Sequence, residues 1–118
     1  TKFGIGYVET AGTGYGMRVA NNATELYAFV SIPEGMKATH VEIFGKRTRG
    51  VEVFEVQINA TTMTSKGTGN CNTEFAINNS GESAGIAATA TNLLAIEVDT
   101  ISTSADRVYG GRVKIATI

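Results

Sequence analysis

The sequence predicts an all-β protein: one antiparallel β-sandwich domain over residues 1–118, with about eight strands in a jelly-roll-like order. Three observations lead there. Apolar residues recur at every second position through most of the chain, the period at which strand side chains share one face. Fourteen glycines, many threonines and a single proline supply turn residues and β-formers. No window of useful length carries apolar residues at helical spacing, so little helix is expected.

The first strand candidate is "FGIGYVE", with Phe3, Ile5 and Tyr7 on one face. Gly4 and Gly6 lie opposite, where bare backbone lets another chain approach closely. Residues 1–12 are therefore expected as an edge strand or interface arm, with Phe3, Ile5 and Tyr7 making contact with another subunit. "YGMRVA" places Tyr15, Met17 and Val19 on one face. "ELYAFVSIP" is apolar on both faces and reads as a central strand covered twice. Pro33-Glu34-Gly35 makes a turn.

"THVEIFGK" alternates Val41 and Ile43 against His40, Glu42 and Phe44. "VEVFEVQINA" shifts its apolar phase from Val51 and Val53 to Phe54, Val56 and Ile58, which predicts a β-bulge near Val53-Phe54. The polar segment from Thr61 to about Gly85 reads as a long excursion holding one short strand, "TEFAI". In "NLLAIEVDTI", Leu94, Ile96 and Val98 point in while Glu97 and Asp99 point out. After the turn "STSAD", the chain closes on "DRVYGGRVKIATI". Tyr109, Val113 and Ile115 are expected inward with Gly111 in their row, and Arg112 and Lys114 outward. Gly110 and Gly111 mark a bulge or a crossing by a large side chain. If this strand pairs with residues 93–100 as a hairpin, Glu97 lies opposite or diagonal to those cations.

Composition excludes several function classes. A formal net charge of −1 leaves no electrostatic footprint for nucleic acid. No apolar run approaches a membrane span, so no membrane partner is expected. One cysteine, Cys71, permits no internal disulfide, and one histidine, His40, makes a His/Cys zinc site untenable. No Ser-His-acid set and no G-x-S-x-G elbow occur, so the chain reads as non-enzymatic. "GTGYGM" resembles a phosphate loop, but strand-like residues follow where a helix N-terminus is required. His40 and Glu42 alternate on one strand face and read as a structural polar pair. The carboxylates are scattered without EF-hand spacing, so no metal or cofactor is assigned; a loop calcium at Glu82 or Asp106 is the lesser alternative. A sugar platform needs an exposed aromatic beside amides or carboxylates, and Tyr15 and Phe75 are the candidate ligand contacts.

Three segments taken together carry a resemblance. They are "PEGMKATHVEIFG" (Pro33–Gly45), "TSKGTGNCNTEFAI" (Thr64–Ile77) and "TNLLAIEVDTISTSADRVYGGRVKI" (Thr91–Ile115). Their order and spacing resemble a small β-domain of structural proteins of marine bacteriophages. That pattern runs through a glycine turn and K-A-T-H-V, a G-T-G-N then T-E loop, and a closing T-S-x-x-x-Y-G-G-x-V strand. Here Cys71 and Asn72 stand between Asn70 and Thr73, a departure from the pattern. The resemblance implies a virion structural protein, a capsid decoration or other surface protein, whose partners are copies of itself and other virion proteins. It supplies no catalytic residues. The alternative is a carbohydrate- or receptor-binding module of a tail fibre or host-attachment protein, with surface glycans as partners. The two share a fold, so fold does not separate them.

Overall fold

The computed structural model describes residues 25–79, 85–99 and 107–118. Among them the chain is all-β, with eight strands and one short 3-10 turn at Ile77–Asn79. The strands are β1 (Leu26–Val30), β2 (Met36–Gly45), β3 (Gly50–Gln57), β4 (Met63–Asn70), β5 (Phe75–Ala76), β6 (Ile86–Ala87), β7 (Asn92–Val98) and β8 (Val108–Thr117). They form two antiparallel sheets. The first has the order β1-β7-β3-β4; in the second, β2 pairs with β8 along one edge and with β5 and β6 along the other.

The period-two pattern places one apolar row from each strand between the sheets. From the first sheet come Ala28, Val30, Val51, Val53, Leu94, Ile96 and Val98; from the second come Ala38, Val41, Ile43, Val108 and Val113. Ile77 and Cys71 fill the ends of this layer. Each fully buried aliphatic side chain contributes about 1.5–3 kcal/mol, so this seam outweighs any surface ion pair.

The register explains where the alternation bends. β3 stays in step with β7 from Val51↔Val98 to Gln57↔Asn92, so β3 itself does not change phase. The bulge expected near Val53-Phe54 is present, but its extra residue is Lys66 on β4, between the pairs Val53↔Gly67 and Phe54↔Ser65. The apolar phase shift in β3 reflects a second apolar face: Phe54 and Val56 turn away from the seam. A second bulge at Thr39 interrupts the β2–β8 ladder. Its hydroxyl, fully buried, donates to the Lys114 carbonyl at 3.2 Å and meets His40 Nδ1 at 3.0 Å. His40 is thus held by Thr39, while Glu42 pairs with Arg112.

Four expectations are corrected. β1 lies at the end of its sheet among the described residues, with Phe29 66% exposed, and is not a central strand covered twice. "MTSKGTGN" is a full strand, β4; it reads as loop because nearly every side chain faces solvent and leaves no alternation to detect. β8 pairs with β2 in the other sheet, not with β7, so Arg112 meets Glu42 rather than Glu97. Tyr109 is 52% exposed and not inward, because the register shift between Phe44 and Gly45 makes it the extra residue. Val108 takes the inward place instead.

Two loops are fixed by side chains. Asn72, at φ 68°, donates from Nδ2 to the Gly45 carbonyl at 3.0 Å and accepts from the Gly45 N–H at 3.1 Å. It copies a strand partner at the end of β2, and asparagine tolerates that left-handed backbone. Asn92 donates to the Ala87 carbonyl at 2.9 Å and accepts from Thr89 N–H at 2.8 Å, closing the link from β6 to β7.

Removing the last six residues, Val113–Ile118, strips β8 of its pairing with β2 from Val41 to Met36. The truncated chain is expected to lose its cooperative thermal transition, read by circular dichroism. A methyl at Gly69 would sit 2.2 Å from the Phe75 ring, which lies across β4 at that point. Gly69→Ala is therefore expected to cost about 1–3 kcal/mol in chemical denaturation, by forcing the ring off its site.

Candidate functional site

With the seam filled, the chemistry sits on the outward faces. On the first sheet the outward rows follow from the register. Tyr27, Glu97 and Glu52 form one row; Phe29, Ala95 and Phe54 the next; Leu93, Val56 and Met63 the third. An outward sheet face normally alternates to polar. Here Phe29, Met63 and Ile58 are exposed, Phe54, Val56 and Leu93 are half-buried, and Ala95, flanked by two phenylalanines, is fully buried.

One end of this face is acidic. Carboxylate oxygens of Glu25, Glu97 and Asp99 lie within 4.8 Å of one another. The Tyr27 hydroxyl donates to Glu97 and contacts Glu25 Oε2 at 3.1 Å. Burial pushes the Glu97 carboxyl above the usual carboxylate range; the Tyr27 hydroxyl opposes that shift, while Glu25 and Asp99 add to it. The hydrogen bond to Glu97 raises the Tyr27 phenol, with burial and Glu25 acting in the same direction. The phenol stays protonated and serves as a donor that fixes its ring on this face.

The outward face of the second sheet is built differently. Glu42 and Phe44 on β2 stand opposite Arg112 and Gly110 on β8. Arg112 donates from Nε to Glu42 Oε1 at 2.9 Å, and its Nη2 lies 2.7 Å from the same oxygen. The guanidinium also sits 5.8 Å from the centre of the Phe44 ring, within cation–π range. Phe44, Tyr109, Gly110, Gly111 and Arg112 line an open, shallow groove of about 380 Å³. A second concavity, of about 350 Å³, lies at Ile32, Glu34, Ala88, Thr89 and Ala90. The acidic group of Glu25, Glu97 and Asp99 lines neither.

The interface candidates Phe3, Ile5 and Tyr7, the ligand candidate Tyr15, and the carboxylates Glu82 and Asp106 lie outside the described residues. Phe75 is half-buried, packed against the core with its ring over Gly69. Cys71 is buried, and burial pushes its thiol pKa up, away from nucleophile chemistry. Sequence reasoning set Phe44 on the face of His40 and Glu42, where it lies, but missed Tyr27, Phe29 and Tyr109 as surface groups. The double apolar face of "LYAFV" was the signal for the first pair, and "YGG" beside a bulge the signal for Tyr109. No protein-family model, curated protein or solved structure matches the chain.

Glu97 generates a pH prediction. Its pKa in the folded chain lies above the unfolded value, so the fold binds a proton the unfolded chain releases. The resulting stability is present below about pH 4.3, the ordinary glutamate value, and is lost as pH rises through the raised one. Glu97→Gln keeps the neutral form at every pH. Its Tm advantage over wild type is expected to grow from about pH 4 to 7 in thermal melts, whereas a constant difference across that range contradicts the assignment.

Proposed function

We propose that this protein is a non-enzymatic virion structural protein of a bacteriophage, a capsid decoration or surface protein with a jelly-roll-like sandwich. It acts through contacts with copies of itself and with other virion proteins. The observation that carries the reading is the apolar outward face of the first sheet. A sandwich needs only its inward rows for folding. Phe29 and Ile58, each 66% exposed, together with Met63 and Tyr27, add apolar surface that folding does not use. Contiguous exposed apolar surface rimmed by acids is characteristic of contact faces between proteins.

Two further features support the same reading. The resemblance of the three segments to marine phage structural proteins points to a particle. Among the described residues, Thr39, Asn72 and Asn92 hold strands and loops by binding backbone. Glu97, whose carboxyl burial raises, is partnered by a tyrosine on its own sheet face.

Sizing with light scattering across a concentration series, followed by electron microscopy of native particles, tests the reading. Wild type is expected to self-associate or to bind particles, and the double variant Phe29→Ser, Met63→Ser to lose that while keeping its melting transition. A wild-type chain that stays monomeric at every concentration and does not bind particles overturns it.

A further inference from the structure

The groove on the second sheet is a site of another kind. Its lining includes two aromatics, Phe44 on β2 and Tyr109 on β8. Its floor is backbone, at Gly110 and Gly111. Gly110 takes φ +156°, which side chains rarely adopt, and a Cβ built there meets nothing within 4 Å. The register shift beside it turns Tyr109 outward, next to the open space over the Gly110 backbone. At one side stands Arg112, clamped by Glu42.

This combination selects a ligand class. Aromatic side chains favour a compact ring with apolar C–H faces. A carboxylate and a guanidinium side by side provide acceptor and donors to neighbouring hydroxyls. Because Glu42 neutralises Arg112, the pair offers hydrogen bonds without net charge, which disfavours an acidic ligand. We infer that the groove of Phe44, Tyr109, Gly110, Gly111 and Arg112 binds one neutral hexopyranose ring of a glycan. The sugar stacks on Tyr109 beside the Gly110 backbone, with a hydroxyl bonded by Arg112, whose guanidinium is held over Phe44 by Glu42.

The site lies on the sheet opposite the apolar contact face, so binding does not depend on self-association. The test is an amide-shift titration of the full ¹⁵N-labelled chain with methyl glycosides of glucose, galactose and mannose. N-acetylglucosamine, glucuronate and a proline-rich peptide run as separate arms. At least one neutral sugar is expected to shift Gly110, Gly111 and Arg112 with Kd on the order of 1–10 mM, as suits a ligand of about twelve heavy atoms. Tyr109→Ala and Glu42→Gln are each expected to weaken it about tenfold or more, with melting transitions checked in parallel. Phe29→Ser, on the other face, leaves the titration unchanged. No neutral sugar shifting these amides overturns the inference; so does a response to glucuronate or to the proline-rich peptide alone, or binding that survives Tyr109→Ala.

Discussion

Everything else in the structure depends on the apolar seam between the two sheets. The chain changes sheet between β1 and β2, β2 and β3, β4 and β5, β6 and β7, and β7 and β8. Most connections are therefore anchored in both layers, and neither sheet can slide without pulling the other. Leu94, Ile96 and Val98 on the β7 strand face Val41, Ile43 and Val113 across a layer from which water is excluded. A one-residue slip would exchange each of these rows for its outward neighbours, which on β2 are His40, Glu42 and Phe44. The cost of burying two polar side chains in place of aliphatic ones fixes the register more firmly than any turn does.

That constraint shapes both outward faces. Once register is set by the inward rows, the outward rows are free to vary, and the two sheets fill them differently. The first sheet keeps large apolar side chains there, which cost solubility unless something covers them. The second keeps an ion pair and two aromatics around a glycine floor. Local irregularities re-aim side chains: the bulge at Tyr109 turns a ring outward that strict alternation would have buried. The bulge on β4 lets that strand follow β3 past Val53 while holding Lys66 near Glu55 at 3.8 Å.

The inward rows were legible in the sequence because burial imposes a strict period on them. Val41 and Ile43 on one strand, and Leu94, Ile96 and Val98 on another, could be assigned residue by residue. What escaped lies where that period carries no information. β4 is solvated along most of its length, so its residues answer to hydrogen bonding alone and read as loop. Strand partners escaped too: a hairpin between β7 and β8 and the observed crossing to β2 bury the same residues, and only three-dimensional packing separates them. Tyr109 was assigned inward by counting from Val113, and the count failed at a bulge beside glycines, where one extra residue inverts the alternation. The apolar phase shift in β3 predicts the bulge found at Val53-Phe54, with its extra residue on β4, and it also marks a second apolar face. The surface groups were misread for a common reason: an outward aromatic and a core aromatic look alike in one dimension.

Native-state hydrogen exchange tests the seam most directly. Amides of Val41, Ile43, Val53, Leu94, Ile96 and Val113, drawn from both sheets, are expected to share the slowest exchange and a single opening free energy equal to that of global unfolding. Exchange in which β2 and β8 open at much lower free energy than β3 and β7 would show two sheets held independently, and would contradict it.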